Sequence, residues 1–375
     1  MPTLASLRIR LATVRRSEQE TRTLSGRIHL WLVAMDAPEK LDGLDGARAH
    51  ALKVYCDRNL VALGMAWMQR LLARALCRWR APLLLADETL AGDGAVRCDR
   101  WHRQARLVER AMGEGHSCRP VVMHRKSFVH DALADLRSGD RVVLIPTVPH
   151  RSPGEWGSGL RSARRMLDER RISHRTVWPY ALHPGHVEAV AESLRATLAD
   201  LPQNVPYEVL FVAPMYPAWW PVPGDDRAIV LQGLAQAVVT SVGLARPHHL
   251  AFVPRSGFVF AARPRASTTI KQMAARGVRT VVMVPLGVTQ DAIETAAWLD
   301  GRLLEMAREA GISCILRAET VALRPTFVRG LVDLVTRVER DAGWIKPEKN
   351  EQQPDAVPTQ GDGENHSEGE ACSTA

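Results

Sequence analysis

Short apolar runs at residues 27–34, 119–123, 141–146 and 175–178 alternate with longer segments of helical periodicity. Near residues 201–206 the pattern breaks and restarts, with further runs at 207–213, 249–253, 279–285 and 313–316. Runs of this kind fit strands buried on both faces, and such strands need crossover helices between them. Two successive sets therefore predict an α/β chain with two similar doubly wound, Rossmann-like lobes. Each lobe would hold a four-stranded parallel sheet, with a cleft between the lobes. The chain then divides into a basic arm (1–26), an N-terminal lobe (27–200), a C-terminal lobe (201–345) and a tail (346–375).

The stretch 279–300, RTVVMVPLGVTQDAIETAAWLD, is the most informative. Val281, Val282, Met283 and Val284 form a buried strand, which Pro285 and Gly287 stop. Asp291 and Glu294 have the spacing of a capping box opening a new helix. Two carboxylates thus fall in the first turn of a helix at the carboxyl end of a strand, the edge where open α/β sheets bind ligands. Capping and ligand chemistry both fit these residues.

Residues 59–85 carry an apolar helical pattern through Leu60, Leu63, Met65, Trp67, Met68, Leu71, Leu72, Ala75 and Leu76. Arg70, Arg74 and Arg78 fall four apart and form a basic stripe. A packed helix with a solvated arginine face and a membrane-surface helix both fit.

Residues 279–300, followed by AREAGISCILRAETVALRPTFVRGLVDLV (307–335), resemble the C-terminal part of the ferrochelatase family. The family pattern is a strand, P-x-x-F-T/V-S-D, then E-T-L-x-E-x-D on a helix, an A-G-hydrophobic strand and a P-x-F-x-x-x-L helix. Thr295 and Asp300 match beside Glu294, and the resemblance runs over 27–338. It implies the two-lobed chelatase fold and a role in heme biosynthesis. Ferrous ion and porphyrin would be substrates, and no cofactor would be covalently bound. Glu294 would lie in the porphyrin cleft and handle metal or protons. Residues 59–85 would form the hydrophobic lip, which closes over the porphyrin and can touch a membrane.

Other segments align with departures. Anchoring on Asp131, Ala132 and Leu133 puts Met123 and His124 at the family's cleft-facing Arg–Tyr pair. His124 is then a candidate metal ligand beside Glu294, or a solvent-facing histidine at a strand end. Residues 147–158 resemble L-Y-P-Q-Y-S-x-x-T-x-G-S, keeping Pro149, Ser152, Gly157 and Ser158, with His150 for Gln and Arg151 for Tyr. Gly-Ser at a helix start suits an anion as well as an ordinary cap. Residues 180–186 resemble Y-x-x-H-P-x-Y, with His183 a helix-entry residue or a ligand. The family's N-L-G-x-P turn is replaced by Met35, Asp36, Ala37 and Pro38. In the aromatic-Q-S-R/K-x-G segment, Arg255 and Gly257 survive. Met123, Ser152, Ser158, Met215 and Arg255 are the candidate binding residues.

The largest departure is at 212–217, where the family has S-A-H-G-L-P. Pro214 takes the catalytic histidine position and Met215 the glycine position, and no histidine lies between His186 and His248. Inserting a metal requires removal of two pyrrole N–H protons. An imidazole accepts protons near neutral pH; a proline side chain does not. The expectation is a divergent ferrochelatase-like protein, a pseudoenzyme candidate, that binds a tetrapyrrole or related ligand with ferrous insertion impaired or lost. An active chelatase using Glu294, Asp291 and His124 is one alternative. A non-catalytic partner of another enzyme, interacting through the acidic tail, is the other.

The bases are mostly scattered arginines in a chain of net charge +8, which argues for a solvated surface rather than nucleic-acid binding. The six cysteines show no C-x-x-C spacing, and only Cys372 lies in the tail, so neither disulfides nor an iron–sulfur cluster is expected. Without a signal-peptide pattern or an uncharged run of spanning length, the expected compartment is the cytoplasm.

Overall fold

The computed structural model describes residues 26–35, 41–58, 65–92, 94–123, 126–202, 204–215, 227–254 and 263–345. The first lobe runs β1 (Ile28–Ala34), α1 (Gly43–Cys56), α2 (Ala66–Ala91), α3 (Gly94–Met112), β2 (His116–Val122), α4 (Lys126–Ala134) and β3 (Arg141–Pro146). A π-helical turn, π1 (Pro153–Gly159), leads into α5 (Leu160–Glu169), β4 (Ser173–Thr176) and α6 (Pro184–Ala199). The second lobe has β5 (Glu208–Met215), α7 (Arg227–Val242), β6 (His248–Pro254), α8 (Ala266–Ala275) and β7 (Thr280–Pro285). It ends with α9 (Ile293–Ala296), π2 (Ala297–Arg302), α10 (Leu303–Glu309), β8 (Cys314–Arg317), a 3-10 turn (Val321–Leu323) and α11 (Pro325–Asp341).

Among the described residues there are two four-stranded sheets, ordered β2-β1-β3-β4 and β6-β5-β7-β8, with every pairing parallel. The identical order makes the lobes topological copies, as the restart in the sequence predicts. Every residue of β1, β3 and β7 is buried, as a sheet covered on both faces requires. Strand ends differ from the predicted bounds: β2 begins earlier, at His116, and β4 spans Ser173–Thr176 rather than 175–178. Its partner decides this, because β4 pairs Ser173 with Arg141 and Thr176 with Leu144.

One apolar core crosses both lobes. Leu30, Leu32 and Ile145 of the first sheet join Phe211, Val282 and Val284 of the second, together with Phe327 and Leu331 of α11. Helices α6 and α11 approach closely at Gly185 and Gly330, where a Cβ on Gly185 would lie 2.8 Å from the Gly330 Cα.

The predicted helix over 59–85 is corrected. Residues 59–64 lie outside the described residues, and α2 starts at Ala66 and continues to Ala91 with Pro82 inside it. It packs against α1, a helix the apolar pattern did not reveal. Its buried face is Gln69, Ala73, Cys77, Arg80, Ala81, Leu84 and Asp87. Met65, Trp67, Met68, Leu71, Leu72 and Trp79 are exposed instead, as are Arg70, Arg74 and Arg78. Small side chains let α1 and α2 pack closely, and the buried charges pair with partners on the second lobe.

Candidate functional site at the junction of the lobes

The carboxyl ends of the two sheets meet at one junction, and the segment after β7 crosses it. Gly287, at φ +71°, turns the chain where a Cβ would sit 2.9 Å from both the His150 ring and the Leu231 side chain. The Thr289 hydroxyl donates to the Thr147 carbonyl oxygen at 2.7 Å, and Gln290 bonds Gln104, so the segment is held to the first lobe. His150 is buried at this crossing.

Asp291 and Glu294 do not form the predicted capping box. The N-cap of α9 is Ala292, with no side-chain cap. The Asp291 carboxylate instead accepts from the Arg317 guanidinium and, at 3.4 Å, from the Thr320 hydroxyl. Arg317 also pairs with Asp300 at 3.2 Å. Burial alone would lower the Arg317 pKa, but the flanking charges of Asp291 and Asp300 carry it above its ordinary value. Burial and the neighbouring Asp291 raise Asp300, and Arg317 offsets part of that rise. Charge attraction from β8 thus outcompetes a local cap.

The Glu294 carboxylate lies 3.4 Å from Arg80 of α2, and Arg80 also holds Asp87 at 3.0 Å. Arg302 of π2 reaches the other oxygen of Asp87 at 3.1 Å. An alternating acid–base chain therefore runs from Glu294 through α2 to π2, and these side chains are mostly buried. Tyr55 of α1 lies beside it. Burial raises its phenol pKa; Arg80 works against that rise and Glu294 adds to it. Ile293 completes the contact by joining the apolar cluster of Met35, Tyr55, Ala73, Cys77 and Leu84. Residues of α1 and α2 thus close down directly on the segment that carries Glu294.

The other candidate residues are dispersed. Ser152 is the N-cap of π1, accepting from the Glu155 amide at 3.2 Å and donating to its carboxylate at 2.8 Å. Ser158 donates to Asp57, tying π1 to the end of α1. Both serines are engaged within the protein, Ser152 as a cap and Ser158 as a link to α1. Met123 packs half-buried against the α1–α2 cluster, and Met215 is buried in the shared core at the end of β5. His183 proves a helix-entry residue: its Nδ1 accepts from the Gly185 amide at 3.2 Å, and its Nε2 pairs with Asp333 at 3.0 Å. His124 and Arg255 lie outside the described residues, as do Asp36, Gly257, the arm up to residue 25 and the tail. Among the described residues, no three His, Cys, Asp or Glu side chains converge as a metal site. Pro214 stands inside β5, level with Val253 of β6.

Sequence reasoning missed Tyr55, Arg80, Asp87, Arg302 and Arg317. A signal existed for Arg80: Gln69, Ala73, Cys77 and Arg80 repeat at helical spacing, on a different line from Arg70, Arg74 and Arg78. Beside π1 a cavity of about 410 Å³ opens at the carboxyl edge of the first sheet, lined by Arg151, Trp156, Arg164 and Trp178 among others.

The sequence profile of the ferrochelatase family matches residues 29–339. The chain belongs to the ferrochelatase family. A ferrochelatase of Geobacter sp. (strain M21) is 28% identical over 316 residues, covering 83% of this chain and 98% of the relative. One from Synechococcus elongatus is 25% identical over 320 residues, covering 83% of this chain and 82% of the relative. Among solved structures, SirB from Bacillus subtilis with Fe3+ matches with a TM-score of 0.45 and 10% identity, over 65% of this chain and 91% of that one. CbiX, described as the terminal enzyme of siroheme biosynthesis in denitrifying bacteria, matches at 0.41 and 16% identity, over 69% and 93%.

Proposed function

We propose that this ferrochelatase-family chain binds a tetrapyrrole at the junction of its lobes, and that ordinary ferrous insertion is impaired. Family membership supports the ligand class. The cavity beside π1 also suits a planar anion, since indole rings offer flat apolar faces and guanidinium groups pair with carboxylates. The second half rests on the resemblance at 212–217, which sets Pro214 of β5 against the imidazole that takes the pyrrole protons in the family. Glu294 is a candidate proton acceptor at the junction, and its carboxylate is paired with Arg80.

Titrating the purified protein with a porphyrin and following the Soret band tests binding. A saturable shift is expected, and an unchanged spectrum refutes the ligand assignment. Adding ferrous or zinc ion anaerobically tests insertion. Metalloporphyrin formation at the rate of a histidine-bearing family member, abolished by Glu294→Gln, overturns the impairment and makes Glu294 the base.

A further inference from the structure

At the opposite, amino edge of the first sheet, His29 of β1 stands level with Ser117 of β2. Its Nε2 lies 3.1 Å from Asp140, and its Nδ1 lies 2.9 Å from the Ser117 hydroxyl. Asp140 is fixed in turn by the backbone amides of Arg27 at 2.9 Å and Arg137 at 2.8 Å. A carboxylate only accepts, so Nε2 carries a proton and donates it to Asp140; in the neutral ring Nδ1 is bare and accepts from Ser117. Burial works against charge on Asp140, but the Arg137 amide, the His29 ring and the Arg27 amide outweigh it and hold its pKa below the ordinary value. All three side chains line a cavity of about 670 Å³, together with Arg27, Arg119 and Arg137. Ser117 is only half-buried, so its hydroxyl is within reach of that space.

The geometry points to a second, hydrolytic site here: Ser117 as nucleophile, His29 as its base and Asp140 as the group that orients the base, acting on small carboxylic esters that carry an anionic substituent. The arrangement has what nucleophilic acyl transfer requires, a hydroxyl on a base that a third group orients. Ser117 Oγ bonds to the ester carbonyl carbon as its proton passes to His29 Nδ1. The carbonyl oxygen takes the electron pair, and Arg27 and Arg137 supply positive field for it, while Arg119 is paired with Asp135. Collapse breaks the bond to the alcohol oxygen, which leaves with the proton from Nδ1. Water then adds to the acyl carbon and gives a proton to Nδ1. The second collapse releases the acid, and Ser117 Oγ recovers the proton.

The test uses the full chain. It is incubated with a fluorophosphonate probe, digested and read by peptide mass, in parallel with turnover of a p-nitrophenyl ester whose acyl chain ends in a carboxylate. A covalent adduct on Ser117 is expected, absent in Ser117→Ala. In His29→Gln, labelling and turnover should slow by about 100-fold or more, the range for loss of a general base. An unlabelled Ser117 in the wild-type protein overturns the assignment without reference to any variant's folding. Labelling of Ser117 at an unchanged rate in a folded His29→Gln protein overturns the role of His29.

Discussion

His186 allows a prediction whose size follows from its surroundings. The ring is buried between α6 and α11, 6.0 Å from Tyr180 and 5.8 Å from Phe327, ring centre to ring centre. Nδ1 donates to the Ala181 carbonyl oxygen at 2.7 Å, while Nε2 is buried with no partner among the described residues. Burial is the main reason its pKa falls from 6.5 to about 4; the bond to Ala181 opposes the fall and the nearby His183 adds to it. The folded ring therefore resists a proton that the unfolded chain accepts. Stability is at its full value above the unfolded pKa, is lost as pH falls through it, and levels off below the folded one. A tenfold change in proton affinity is worth about 1.4 kcal/mol, so the fully expressed loss is about 3 kcal/mol. Between about pH 7 and pH 5 the loss from this one group is about 2 kcal/mol. His186→Phe keeps a ring in the same packing and removes the titration, at about 1 kcal/mol for the lost hydrogen bond. Urea denaturation of both proteins across this pH range isolates the effect, because titrating groups not coupled to His186 cancel in the difference. The variant should start less stable and overtake the wild type as the medium becomes acidic. Parallel stability curves would refute the reasoning.

Two further outcomes are expected. Arg80→Met leaves Glu294 without the charge beside it, while Asp87 keeps Arg302; breaking a buried pair in this way should lower stability by about 3 kcal/mol in urea denaturation. Adding Glu294→Gln should recover part of that loss, and full additivity of the two changes would show that the pair is not coupled. If the exposed face of α2 meets a membrane, as the resemblance to the family's lip implies, replacing Trp67, Leu71 and Trp79 by serine weakens co-sedimentation with anionic phospholipid vesicles by about 10-fold or more. Equal binding by both proteins would place the membrane contact elsewhere or exclude it.

The two-lobed plan was open to reading because it rests on local pattern. A run such as Val281, Val282, Met283 and Val284 is short, rich in β-branched residues and apolar at every position, which suits a strand covered on both faces. The family resemblance added the order of the elements. The capping box at Asp291 and Glu294 was misread because a cap depends on neighbours in sequence, whereas these carboxylates are captured by Arg317 and Arg80, residues of other elements. The buried face of α2 was misread for a related reason. An apolar stripe is a guide to burial when water is the only competitor, but here arginine and aspartate are buried because each meets an opposite charge across the junction.

The amino-acid order alone thus determined the strands, their grouping into two lobes and the family, since each is written in consecutive residues or in their spacing. Only the tertiary structure decided which charges meet, that α1 and α2 close on the segment bearing Glu294, and that His29, Ser117 and Asp140 form one hydrogen-bonded row. Those are contacts between side chains remote in sequence, and their energies depend on distance and burial that exist only once the chain has folded.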